Sequence, residues 1–207
     1  MIETFVRLWC QTCVIAHDLS SLILDAVDNR GVLLVHDAVL PSVTALAVGE
    51  PVRGSWWSHP LANPIYNALG AIEDRVATVK LIRRKDTLVA RRLWPDLTAV
   101  GLARADWQLR GLGPEAMSLL DQIESEDEPT VVDRSHREIA KELALRLLVY
   151  AEDVHTPSGH HVKAFWPWQS WMTRRDVQAI LEGSQATRSF ENAVADWTVS
   201  GPKLLPW

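Results

Sequence analysis

The stretch from Arg75 to Trp94, RVATVKLIRRKDTLVARRLW, constrains the fold more than any other part of the chain. β-branched and apolar residues flank a short polar break, which predicts a strand, a tight turn and a second strand. The strands are VATVKLI and TLVARRL, with Arg83 to Asp86 as the loop. Between Val76 and Arg92 the hairpin carries Lys80, Arg83, Arg84, Lys85, Arg91 and Arg92 against one acid, Asp86, a balance of +6 − 1 = +5. The whole 207-residue chain is formally −5. Positive charge is therefore gathered on one element of an acidic molecule. Salt screens surface fields beyond about 8–10 Å, so a local cationic patch grips a polyanion whatever the net charge.

A hydrophobic share of 47% and a charged share of 23% describe an ordinary globule, long enough for one large domain or two small ones. No apolar run approaches the ~18 residues of a membrane span, so no membrane contact is expected. The start, MIETFVRLWCQTCVIAHDL, reads as a helix and not as a secretory signal, because Glu3 spoils a basic leader. Two cysteines without a disulfide framework suit a reducing, cytoplasmic setting. Tryptophan is the outlier at ten residues. Trp56 and Trp57 are adjacent, and Trp166, Trp168 and Trp171 fall within one short stretch. Rings that bury so much area read as core fillers, Trp56 and Trp57 included. At most one or two are expected to stack on or insert between bases.

Along the chain, Ile2 to Asp28 has the three-and-four spacing of one or two amphipathic helices, stopped at Asn29-Arg30-Gly31. Val32 to Val48 is expected to be helical, interrupted before Pro41. The loop RGSWWSHP, with Ser58 or nearby polar groups as a cap, leads into a helix built on Leu61, Ile65, Tyr66, Leu69 and Ile72. The basic hairpin follows, then a helix from Asp96 through Leu102. Arg104 to Gly113 is the expected boundary between residues 1–103 and 114–207. The second part has a helix from Pro114, an acidic loop (Glu124, Glu126, Asp127, Glu128), a short strand Thr130 to Asp133 and a helix Arg134 to Leu148. A second hairpin turns at Pro157-Ser158-Gly159, helices follow Trp168, and SGPKLLPW reads as a loosely held terminus.

Helices followed by a hairpin thus occur twice. That predicts a mainly helical α+β chain of two tandem winged-helix modules, each with a β-hairpin wing. A single α+β domain is the structural rival. The segment REIAKELALRLLVYAEDVHTPSGHHVKAFWPWQSW, closing on Phe165-Trp166-Pro167-Trp168, resembles the helix-plus-wing end of the AlkZ-type, or YcaQ-like, winged-helix DNA glycosylases and their shorter bacterial relatives. RGSWWSHP and ARRLWP resemble the shorter relatives too, so the likeness covers Pro51 to Trp171. It implies tandem winged helices around duplex DNA and hydrolysis of damaged N-glycosidic bonds. The paired Gln-x-Gln or Gln-x-Asp element of those enzymes has no counterpart here. Gln122-Ile123-Glu124 is the nearest form and sits in an ordinary helix. The resemblance therefore implies DNA binding, with damaged or distorted duplexes as the target, more than it implies catalysis.

The expected DNA contacts are Arg83, Arg84 and Lys85 at the wing tip, with Lys80, Arg91 and Arg92 along the wing. Arg53, Ser55, His59 and Asn63 stand at the start of the presumed recognition helix, whose N–H groups suit a phosphate. Six neutralised phosphates predict a log–log salt slope of roughly −5. On the second wing His155, His160 and His161 straddle the turn beside Glu152 and Asp153 and form a polar site able to act as general base or ligand. Cys10, Cys13 and His17 on one helix cannot close a tetrahedral metal cage. His36-Asp37 and Glu73-Asp74 read as helix surface. No Ser-His-Asp grouping, phosphate loop, G-x-G-x-x-G or H-E-x-x-H occurs, so neither metal nor cofactor is expected.

Three functions follow. The first is a DNA-binding winged-helix protein, the second a glycosylase acting on alkylated or crosslinked bases. The third is a protein-interaction module, a homodimer held by the Trp166 to Trp171 cluster.

Overall fold

A computed structural model describes residues 19–155, 161–178, 183–198 and 201–207. The chain is α+β, about half of it helical, with small antiparallel sheets. Among the described residues no helix is long and apolar enough to cross a membrane. Two compact units form: one takes the chain up to Thr78 together with Lys85–Arg92, the other takes Val79–Arg84 and Leu93–Trp207.

The first unit begins with a helix described over residues 19–30 (α1), ended by Gly31 at φ 85°, whose N–H bonds the Val27 carbonyl. That is the left-handed cap a glycine favours. The next segment departs from expectation. Instead of a helix over Val32 to Val48, the chain makes a strand, β1 (Val32–Leu34), a loop, and a short helix, α2 (Val43–Val48). Val32 and Leu34 pair across to Val89 and Thr87, so a partner distant in sequence overrides the local pattern. Ser42 caps α2 through its hydroxyl and Gly49, at φ 87°, closes it. A 3₁₀ turn (Trp56–Ser58) precedes α3 (Ala62–Gly70), and Pro64 sits in the first turn of α3, where its missing N–H costs little.

The hairpin is tighter than the sequence suggests. β2 (Val76–Ile82) and β3 (Lys85–Ala90) are joined by Arg83 and Arg84 alone, at φ 51° and 58°. Two positive φ values define the mirror-image turn whose twist suits a hairpin. The sheet order is β1-β3-β2. Arg91 and Arg92 lie beyond the strand, in a 3₁₀ turn (Arg91–Leu93). One core gathers Ile23, Val27, Leu33, Val43, Trp56, Ile65, Ile72, Val76, Leu88 and Ala90. Ala77, Val79, Leu81, Val32, Leu34 and Val89 are buried as well.

The second unit runs α4 (Trp94–Leu102), α5 (Asp106–Leu109), α6 (Pro114–Glu124), α7 (Arg137–Leu145), β4 (Tyr150–His155), β5 (His161–Trp166), α8 (Trp168–Arg175) and α9 (Gly183–Val194), then a 3₁₀ turn (Gly201–Leu204). The antiparallel β4–β5 pairing runs from Tyr150↔Trp166 to His155↔His161. The strand expected at Thr130 to Asp133 shrinks to one bridge, Thr130 to Phe165. Trp166, Trp168 and Trp171 are all buried, so the cluster expected to face a second copy is core instead. Trp168 meets Trp171 edge-on at 5.6 Å and Trp171 meets Trp94 at 5.2 Å. Gly101 makes room for this packing, since a Cβ there collides with the Trp168 indole. The terminus is not loosely held. Leu204 and Leu205 are buried, the Trp207 ring lies 5.9 Å from Trp107, and its Nε1 donates to Glu191 at 3.1 Å.

Candidate functional site

The hairpin cations meet protein acceptors. The Arg84 guanidinium donates to Glu142 at 2.7 Å, and Glu142 also accepts from Arg146 Nε at 2.8 Å. Arg146 is held in turn by the carbonyls of Gln108 at 2.9 Å and Arg110 at 2.7 Å. The backbone N–H of Arg83 donates to the Leu204 carbonyl at 3.1 Å. Lys85 Nζ donates to Asp37 at 2.6 Å. Arg92 Nε donates to the Asp28 carbonyl at 3.2 Å. Arg83 and Arg91 are exposed and Lys80 is half-buried. The turn expected to grip phosphate is thus partly neutralised by its own fold.

His36-Asp37, expected on a helix surface, lies in the loop between β1 and α2, with Asp37 only 3% exposed. Asp37 accepts from the N–H groups of Val39 at 2.9 Å and Leu40 at 3.0 Å. Burial alone would raise its carboxyl, but Lys85 and those two N–H groups together hold it below the ordinary value. His36 links Thr44 Oγ1 at 2.9 Å to the Gly54 carbonyl at 2.8 Å, tying this network to the loop before α3. Elsewhere, burial raises Asp96 against a hydrogen bond from Ser189. The side chain of Ser135 and the backbone and ring of His136 bring Asp133, ahead of α7, down to about 2. These carboxylates serve the fold.

The segment before and along α3 is different. Arg53, Ser55 and Asn63 are exposed, as their expected role requires. His59 is half-buried and its Nδ1 accepts from Leu61 N–H at 3.1 Å, just ahead of α3, whose first turn has no side-chain cap from Ser58 or its polar neighbours. Trp56 and Trp57 part company. Trp56 is 9% exposed and belongs to the core, whereas Trp57 is 61% exposed and stacks on it at 4.1 Å with 27° between planes. Tyr66, expected on the buried face, is 50% exposed and lies 5.8 Å from Trp57. With Asn63 and Asn67 it forms an outward face one turn long. Trp57, Tyr66 and Asn67 are the residues that sequence reasoning missed. Their signal was the Asn63, Tyr66, Asn67, Gly70 spacing. A second signal is electrostatic: Val52 to Ile72 contains no Asp or Glu, although the chain has 26.

On the second hairpin, residues 156–160, His160 among them, lie outside the described residues, as do Cys10, Cys13 and His17. His155 and His161 are backbone partners across the strands. The carboxylates expected beside them are engaged: Glu152 accepts from Trp166 Nε1 at 2.6 Å, and Asp153 from Lys163 at 2.7 Å. An open cleft of about 490 Å³ between Asp127, Glu128, Gln169 and Arg174 offers no free ring, because Arg174 already covers Trp166 at 4.7 Å. Among the described residues no three His, Cys, Asp or Glu side chains gather to hold a metal ion.

No protein-family model matches this chain, and no curated protein or solved structure matches it either.

Proposed function

We propose that the protein binds duplex DNA through the outer face of α3 and the turn before it, each unit being built on a winged-helix plan. The order α1-β1-α2-α3-β2-β3 with β3 central supports this for the first unit. In the second, α6, the Thr130 bridge, α7 and β4–β5, with β5 central, follow the same plan in reduced form. The observation that carries the reading is the acid-free stretch Val52 to Ile72, which presents Arg53, Asn63 and Asn67 outward on an acidic chain. Asn amides pair with adenine edges, and each such contact contributes about 1–3 kcal/mol of discrimination.

On this reading any kinship with AlkZ-type glycosylases lies in binding and not in hydrolysis. Glu124, the nearest counterpart of their acidic element, is ion-paired with Arg104 on an ordinary helix. Lys80, Arg84, Lys85, Arg91 and Arg92 all have protein partners, so fewer than six hairpin cations are expected to join Arg53 in meeting phosphate. Fewer contacts give a log–log salt slope shallower than the roughly −5 expected for six. Titration of a duplex of about two helical turns at several salt concentrations measures that slope. Binding at low salt that weakens at least tenfold in Asn63→Ala/Asn67→Ala is expected. No binding, or full affinity in that variant, abandons the reading. A second reading, a protein-interaction module, is favoured by the exposure of Trp57 and Tyr66. Loss of self-association or partner capture in Trp57→Ala, with no affinity for DNA, would select it.

A further inference from the structure

Resting on that reading, we infer that Trp57 is a stacking platform for an unpaired nucleobase, so that the preferred partner is DNA with an unstacked base. Among the described tryptophans Trp57 is the one classed as exposed. Its ring is not loose. One face rests on Trp56, which is anchored in the core, and the turn beneath is pinned by His59 N–H to the Trp56 carbonyl at 3.0 Å and by Ser58 Oγ to the Ser55 carbonyl at 2.9 Å. The Gly54 carbonyl is held by His36. A ring fixed on one face and open to solvent is a ready π-surface, and little conformational entropy is lost when a base settles on it.

The surroundings suit a base better than a protein side chain. Gly54, Ser55, Ser58, Asn63 and Asn67 are exposed, small or polar, whereas protein hot spots sit in well-packed, fully desolvated pockets. Asn amides offer both donors and acceptors to a base edge. Arg53 supplies positive charge for the flanking phosphate, and no carboxylate within Val52 to Ile72 repels it. Tyr66 borders the platform at a 50° tilt, and so forms a side wall rather than a second stacking surface.

The test compares a blunt duplex, the same duplex with one unpaired adenine, and its single strand, by fluorescence anisotropy. Wild type, Trp57→Ala and Trp57→Phe are used, each checked for folding by circular dichroism. Wild type should prefer the bulged duplex over the blunt one by roughly five- to hundredfold, the range of base–aromatic stacking. Trp57→Ala should erase the bulged-over-blunt ratio, whatever its effect on blunt-duplex affinity, with Phe restoring part of that ratio. Equal affinity for bulged and blunt duplexes overturns the stacking role while the duplex reading stands. A preference that survives Trp57→Ala overturns it as well. No binding to any of the three probes removes both proposals and assigns the patch to a protein partner.

Discussion

Arg83-Arg84 and Trp56-Trp57 are two pairs of identical neighbours at exposed turns, and the fold treats them in opposite ways. Both arginines are forced into left-handed backbone, and both are engaged by protein groups, one through its amide and one through its guanidinium. The tryptophans are separated, one driven into the core and the other left against solvent. The charged pair is anchored by protein groups although both side chains face solvent, and one ring of the uncharged pair is left open. A residue's chemistry sets what it can do. Its partners, Glu142 lying 58 positions beyond Arg84, set whether it is available to do it.

The contrast gives the hairpin arginines a part in holding the fold and, on the proposed reading, gives the α3 face the larger part in binding, and it can be broken by measurement. The largest effect is expected at Asp37, which anchors Lys85 and two backbone N–H groups inside the first unit. Asp37→Ala should cost about 2–3 kcal/mol in denaturant unfolding, since it strands buried donors beside a half-exposed ammonium. Because the folded carboxyl is held below its ordinary value of 3.8, that stabilisation is present above 3.8 and is lost as pH falls through the lower folded value. The gap between wild type and variant should therefore close in acid. A gap that stays constant with pH would mean that the loop and not the ion pair is responsible.

Next in size is the turn itself. A non-glycine residue in left-handed backbone costs roughly 1–2 kcal/mol, and Asn tolerates that region better than Arg. Arg83→Asn should stabilise the protein by about 0.5–1 kcal/mol while changing duplex affinity less than twofold, in line with the loss of at most one phosphate contact. A large fall in affinity would return the wing tip to the binding surface and undo the contrast. The smallest effect belongs to Glu142→Gln. The Arg84–Glu142 pair is largely solvent-exposed, so its loss should shift stability by less than about 1 kcal/mol. A larger loss would show that Arg84, Glu142 and Arg146 act as one network.

Much of the architecture was legible because it is locally encoded. Gly31 stops a helix where a left-handed residue is needed, Pro114 opens α6, and the β-branched runs around Arg83 make a hairpin. The site was legible only in part. Arg53 and Asn63 stand outward as their pattern suggested. Tyr66 did not follow the apolar reading, because a phenol with a polar tip fits either face of a helix and periodicity counts it as core. His36-Asp37 looked like surface because a charged residue reads as solvated until a buried partner, here Lys85, is in place.

What the amino-acid sequence determined by itself is where the chain turns and caps, and that cationic residues collect on one hairpin, since these depend on contacts within a few positions. Only the tertiary structure decided that Val32–Leu34 is a strand, that Trp57 stays outside while Trp56 goes in, and that Arg84 and Lys85 meet carboxylates. Those outcomes turn on partners tens of residues away, on burial that raises the cost of an unpaired charge, and on limited core volume, which took in one indole of the adjacent pair.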